Sequence, residues 1–312
     1  MKYFVCSDLH SHCSALKESL GKAKFEINNP DHLLIICGDV FDRGDETLEL
    51  YEFLKSINNK VLIRGNHEIL YLDLLKKAIP DSYDHHNGTV KTFCHIAGID
   101  PEKMDASYWY REKSLNNPNL RVLDMMLSIW STVVEKVKNS EITEWIKSNE
   151  WVNFYELDRF IFVHSFIPTD YDMMFDYYKD NFRYNPDWRN AYDYEWEDAV
   201  WGCPYKQFIQ GLFTPEIQKG KTLVCGHWHS FGFREYFGGF QYENEKDIDF
   251  SIYYSKYLIA LDTCSILSKK VNVMVIENNV CYDENGNELK EEPMLDGWKN
   301  IIAKFERKED IE

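Results

Sequence analysis

Short apolar runs alternate with charged, glycine-bearing turns along the chain. Runs of strand length recur at Tyr3 to Cys6, Leu33 to Cys37, Lys60 to Ile63, Phe160 to Val163, Thr222 to Cys225, Tyr257 to Leu261 and Val271 to Ile276. They are too short and too rich in β-branched residues to be helices. Between the first three lie helical segments. Over Asp45 to Ile57, Leu48, Tyr51, Leu54 and Ile57 form one apolar face, and Asp45 and Glu46 suit a first turn. The pattern predicts a β-α-β-α-β opening.

From Ile69 to about Asn149 the strand signal disappears. Leu120, Leu123, Leu127, Trp130, Val133, Val134 and Val137 recur at helical spacing, predicting a helical insertion over residues 69–150 whose apolar stripe packs on the core. Residues 168–204 are crowded with Tyr, Trp, Asp and Asn. Disordered chains are poor in aromatics, so this stretch is expected to be structured, as a cap near a site or as surface helices with anchoring aromatics. After Asn278 comes an Asp-Glu-Asn-Gly turn and then a charged, helix-like tail. The chain, without internal repeats, is expected to form a single domain over 1–312.

A chain of 312 residues can bury a substantial core without disulfides. Its formal charge of −17, from 35 basic and 52 acidic side chains, argues against duplex nucleic acid as a ligand. A phosphorylated molecule stays possible, because a bound metal reverses the local sign. The eight cysteines at 6, 13, 37, 94, 203, 225, 264 and 281 include no CxxC pair and fit small buried hydrophobes in a reducing compartment. No run approaches the roughly 20 apolar residues of a membrane span, and the first residues show no charged n-region followed by an apolar h-region. A cytoplasmic location without a membrane partner is expected.

The residues at the ends of the apolar runs change the picture. After Val5-Cys6-Ser7 come Asp8 and His10, after Cys37-Gly38 comes Asp39, and after Arg64-Gly65 come Asn66 and His67. Val163 precedes His164, and Cys225-Gly226 precede His227 and His229. One Asp or His at a strand end is more often a cap, but five strand ends in succession are hard to explain that way. Strands of a common sheet bring their ends together in one crevice. Converging carboxylates repel unless divalent cations stabilise them. The mixed Asp, His and Asn set suits Mn, Fe, Zn or Ni better than Ca or Mg. Gly38 and Gly44 allow a tight turn. Arg43 offers fixed positive charge for a bidentate hold on a phosphoryl group, or else an ion pair with Asp42.

Asp8-Leu9-His10, Gly38-Asp39-Val40-Phe41-Asp42-Arg43-Gly44, Arg64-Gly65-Asn66-His67-Glu68, Val163-His164 and Gly226-His227-Trp228-His229 together resemble the calcineurin-like metallophosphoesterases. Within that superfamily, the GDxxDRG and RGNHE forms resemble the phosphoprotein phosphatase branch, which includes serine/threonine phosphatases and symmetrical dinucleoside tetraphosphate hydrolases. The resemblance covers residues 1 to about 70 and about 158 to 276.

It implies an α/β (α+β) fold, a two-sheet β-sandwich flanked by helices, with two divalent transition metal ions, manganese first among them. One ion would take Asp8, His10, Asp39 and His229, and the other Asp39, Asn66, His164 and His227. A metal-bridging hydroxide would attack phosphorus directly. His67 would protonate the leaving oxygen, with Asp42 orienting its imidazole, and Arg43 would hold the phosphoryl group. A second phosphate-binding arginine cannot be placed; Arg183, Arg189 and Arg234 are the candidates. Ser7 and Ser11 stand where the branch commonly has glycine, so a less permissive loop is expected. The segment Val200-Trp201-Gly202-Cys203-Pro204 resembles the Trp-containing stretch of the branch.

The implied activity is phosphomonoester hydrolysis, as in a serine/threonine protein phosphatase. The alternative is a dinucleoside polyphosphate hydrolase or phosphodiesterase. A remote third is a non-catalytic binding protein, whose mark would be loss of Asp39, Asn66 or His67.

Overall fold

Strand β1 (Lys2–Cys6) sends Val5 to one side and Phe4 and Cys6 to the other, and all three are buried. Strand β2 (His32–Cys37) does the same, with Leu33, Ile35 and Cys37 facing one way and Leu34 and Ile36 the other. A sheet covered on both faces requires such continuous apolar strands. This computed structural model describes residues 1–77, 79–104, 120–171, 182–185, 187–204, 220–239 and 242–292, with side chains omitted at 120–123, 170–171 and 182–184.

The first sheet has six strands in the order β13 (Val280–Tyr282), β12 (Met274–Glu277), β1, β2, β3 (Lys60–Ile63) and β4 (Trp151–Val152). β1 to β4 run parallel, and β12 is antiparallel to β1. The second has five, in the order β10 (Tyr253–Tyr254), β11 (Leu258–Ala260), β9 (Thr222–Cys225), β6 (Phe160–Phe162) and β5 (Tyr155–Glu156), with β11, β9 and β6 parallel. Val5, Ile35 and Ile63 of the first sheet share one buried cluster with Phe162, Val224 and Ile259 of the second. Strands β7 (Thr169–Tyr171) and β8 (Phe182–Tyr184) pair separately.

Helices cover the outer faces. α1 (Cys13–Lys22) and α2 (Thr47–Ser56) place Leu16, Leu20, Leu50 and Leu54 in the cluster that holds Phe4 and Leu34. α2 lies within the predicted 45–57 span. α3 (Asn66–Leu74), α4 (Ser82–His86), α5 (Thr89–Ala97), α6 (Leu120–Lys138) and α7 (Glu141–Lys147) come next, and no strand occurs among the described residues between 69 and 149. Trp130, Val133 and Val137 of α6 are buried in that cluster and Val134 packs against it, whereas Leu127 is exposed. The side chains of Leu120 and Leu123 lie outside the described residues.

Over the second sheet, α8 (Asp193–Ala199) and α9 (Ser230–Gly238) bury Trp196, Phe233 and Phe237 against Ile161, Leu223 and Leu258. Trp196 stacks on Phe154, and Trp188 meets both edge-on. Residues 172–181 and 186 of the aromatic stretch lie outside the described residues, as does the charged tail from 293. No helix among the described residues is long and apolar enough to cross a membrane. None of the eight cysteines is in a disulfide, and six of them are buried.

The parallel strands set the geometry for chemistry. β1, β2 and β3 all end at one edge of the first sheet, and β6, β9 and β11 run parallel in the second. Parallel neighbours deliver the loops at their C-terminal ends to a common crevice.

Candidate metal centre

Asp39 stands in the turn after β2 and presents its two carboxylate oxygens to two groups of donors. Oδ1 lies 3.3 Å from His164 Nε2. Oδ2 lies 3.8 Å from His10 Nε2 and 3.8 Å from His67 Nε2. The ligand atoms of His10, Asp39 and His67 all lie within 4.8 Å of one another, as do those of Asp39, His164 and His227. Asp8 Oδ1 approaches His10 Nε2 at 4.0 Å, and its Oδ2 accepts the His227 backbone N–H at 2.9 Å. Asn66 Oδ1 sits 2.8 Å from His164 Nε2.

The backbone that achieves this is unusual. Asp8, His10, Ser11, Asp39, Asp42, Arg43 and His227 all have positive φ, between 43° and 75°, a region L-residues seldom occupy. Ser11 takes it despite its side chain, at φ 56°, and its Oγ lies 3.1 Å from Thr47 Oγ1. Gly38 is at φ 83°, packed against the His164 ring, and a Cβ at Gly44 would collide with the His10 carbonyl. Both positions therefore require glycine.

Hydrogen bonds preset the histidines for a cation. His10 Nδ1 donates to the Phe41 carbonyl at 3.1 Å and His164 Nδ1 to the Cys37 carbonyl at 2.8 Å, which turns each Nε2 lone pair inward. Burial holds His164 down at about 4, so at neutral pH its one proton is used at Nδ1. Its Nε2 then faces Asn66 Oδ1 acceptor to acceptor, an arrangement that a shared cation reconciles.

The electrostatics agree. Burial, then the charge of Asp262, pushes the Asp8 carboxyl well up; burial, then Asp8 and Glu68, does the same to Asp39. Burial also drives His10, His67 and His227 well below the usual imidazole range, with the nearby histidines and Arg43 adding to it. Buried carboxylates that resist ionisation beside neutral imidazoles fit divalent cations as their counter-charge.

Asp42 accepts from His67 Nδ1 at 2.7 Å and from Thr89 Oγ1 at 2.7 Å, both at Oδ2. Burial raises its carboxyl to about 7, against the hydrogen bonds of Thr92 and Thr89 and the charge of Arg43. Arg43 donates from its guanidinium to His10 Nε2 at 3.2 Å, which puts its fixed charge beside the first donor group and not on Asp42.

Other expected residues are placed differently. His229 falls outside both donor groups; its Nδ1 donates to Asp262 Oδ2 at 2.8 Å. Burial lowers the His229 imidazole, but the hydrogen bond and charge of Asp262 outweigh it and hold it at about 10. Arg189 and Arg234, named as phosphate-binding candidates, are committed elsewhere. Arg189 pairs with both oxygens of Glu156 at 2.9 and 2.6 Å, beside a cleft of about 550 Å³ that includes none of the expected ligands. Arg234 is buried against both oxygens of Glu292 and the Ser251 and Ile252 carbonyls. Arg183 is on β8, and its side chain lies outside the described residues. Trp201 sets its ring edge-on to His227 at 5.8 Å, and the Gly202 carbonyl accepts from Trp228 Nε1 at 2.6 Å.

Two residues of this centre are not singled out by the sequence patterns. Asp262 directly succeeds the apolar run ending at Leu261, so the rule applied to the other strand ends would have found it. Glu68 belongs to a quoted motif but had no assigned role; its carboxylate accepts the backbone N–H groups of Asp39 (3.1 Å), Val40 (3.0 Å) and Gly65 (2.8 Å), tying the β2 and β3 turns together.

Comparison with known proteins bears on this geometry. A Coxiella burnetii (strain RSA 331 / Henzerling II) protein named symmetrical bis(5'-nucleosyl)-tetraphosphatase is 29% identical over 113 residues, which is 36% of this chain and 36% of that relative. A cold-active protein-tyrosine phosphatase of a psychrophile, Shewanella sp., aligns structurally over 93% of this chain and 80% of its own, at 14% identity and a TM-score of 0.48. A Saccharomyces cerevisiae protein serine/threonine phosphatase aligns over 94% and 81%, at 14% identity and a TM-score of 0.42. The family model described as calcineurin-like phosphoesterase matches residues 1–253, a span that takes in every strand end feeding Asp39 and its partners. The chain belongs to the calcineurin-like phosphoesterase family.

Proposed function

We propose that the protein is a binuclear-metal-dependent phosphomonoesterase acting on phosphoserine or phosphothreonine in proteins, in a reducing compartment such as the cytoplasm. The observation that carries this reading is Asp39, whose two oxygens address two donor groups at once. Two divalent cations, manganese the first to test, would supply an activated water and neutralise phosphoryl charge. Asp8 and His10 would hold one, Asn66, His164 and His227 the other, with Asp39 common to both and His229 turning to the first. Arg43 would grip the phosphoryl oxygens. Asp42 fixes the His67 ring through Nδ1, so that Nε2 would deliver a proton to the leaving oxygen once the imidazole takes up a second one in the loaded site.

A second reading is hydrolysis of dinucleoside polyphosphates. It is supported by the name of the Coxiella relative and by Trp201, 40% exposed beside His227, on which a base could stack. Manganese-loaded protein assayed on a phosphopeptide panel and on diadenosine tetraphosphate decides. Turnover of phosphopeptides supports the first reading; turnover of the nucleotide alone replaces it with the second.

A further inference from the structure

Helix α5 belongs to the helical stretch that the motifs do not reach, yet its first turn closes on the residues after Asp39. Thr89 Oγ1 donates to Asp42 Oδ2 at 2.7 Å, the same oxygen that accepts from His67 Nδ1. Thr92 Oγ1 accepts the Asp42 backbone N–H at 3.1 Å. Lys91 Nζ donates to the Arg43 carbonyl at 3.1 Å and pairs with Asp45 at 2.5 Å. Gly88, at φ 85°, lies against the Arg43 backbone with no room for a Cβ. Thr89 and Thr92 are both essentially inaccessible to solvent.

We propose that Thr89 and Thr92 are positioning residues for the Asp42–His67 pair, so that α5 sets the aim of the leaving-group proton donor. The inference rests on the reading of His67 as that donor. Asp42 Oδ1 is buried without a hydrogen-bond partner among the described residues. The carboxylate is held at Oδ2, where Thr89 and His67 both donate, and the Thr92 hydroxyl stands beside the same carboxyl. Two donors converging on one oxygen fix the plane of the carboxylate, and through it the imidazole. Thr92 anchors the main chain of the same residue. Buried hydroxyls satisfied for packing alone would not need to meet the aspartate that accepts from the His67 ring.

A series of aryl phosphates tests this, because a proton donor matters most when the leaving group is poor. Manganese-loaded Thr89→Val should lose about tenfold in kcat on phenyl phosphate, with less than about twofold change on 2,4-dinitrophenyl phosphate and an unchanged KM. Thr89→Ser should restore the phenyl phosphate rate, and Thr92→Val should show the same selectivity more weakly. Equal losses on both substrates, or none, would overturn the positioning role. His67→Asn is the reference: if it too shows no leaving-group selectivity, the reading of His67 as proton donor falls, separately from the role of Thr89. Should Thr89→Val fold poorly, the Thr89→Ser and Thr92→Val comparison decides alone.

Discussion

Asp39 and His164 meet at 3.3 Å although one succeeds a strand of the first sheet and the other a strand of the second. Their contact is where the sandwich closes over its chemistry. Asp39→Asn keeps the shape and removes the charge common to both donor groups. We expect manganese bound per chain, by calorimetry, to fall from two to fewer than two, and phosphatase activity to drop by at least about 100-fold, equivalent to ~3 kcal/mol of barrier. Wild-type stoichiometry in the variant would contradict the shared-carboxylate reading.

Asp262 holds His229 at 2.8 Å from outside the donor groups. Partners of this kind orient a metal-binding imidazole and raise its basicity, and losing one typically weakens metal affinity by about 10–100-fold. Asp262→Asn should show that loss for one ion and leave the other unaffected. An unchanged metal titration would make His229 a structural residue.

Without metal, stability should fall as pH rises from about 6.5 toward 10. His229, held at about 10 in the folded chain, contributes stabilisation that is complete below its ordinary imidazole value and disappears as pH climbs through 10. Asp42, raised from its ordinary carboxylate value to about 7, acts in the same direction but is spent by about pH 7, at the foot of this window, and the raised Asp8 and Asp39 also resist ionisation in the folded state. The buried, lowered histidines oppose this only at acid pH. Thermal melts in chelator should therefore show a falling Tm across this window, and saturating manganese should flatten the fall. A Tm in chelator that rises with pH would count against it.

Glu68 is a carboxylate given wholly to the backbone, bonded to the N–H groups of Asp39, Val40 and Gly65. Glu68→Gln turns one acceptor into a donor facing those amides. A loss of about 1–3 kcal/mol in urea unfolding is expected, together with weaker metal binding, because the β2 and β3 turns lose their tie. Unfolding at the wild-type midpoint would show that water replaces the bonds without cost.

The strand ends were readable because each apolar run stops at a polar residue of metal-binding type, and parallel strands leave their loops at one edge. Asp262 was readable by the same rule. Glu68 was visible as a residue but not as a role, since its partners are backbone amides that no side-chain pattern announces. Thr89 and Thr92 lie beyond any motif, and only tertiary packing carries them to Asp42. Arg189 and Arg234 looked available because sequence does not reveal that Glu156 and Glu292, 33 and 58 residues away, already neutralise them. Two-residue strands such as β4 and β10 are too short to leave a periodic signal.

The left-handed residues around the centre carry a further consequence. Each non-glycine residue held at positive φ costs roughly 1 kcal/mol relative to a relaxed turn, and they crowd into the loops at Asp8 to Ser11 and Asp39 to Arg43. Those loops are sprung, kept cocked by the sheets and helices beneath them. Selection for heat resistance alone would release the tension there first, yielding hardier proteins that have traded away their reactivity.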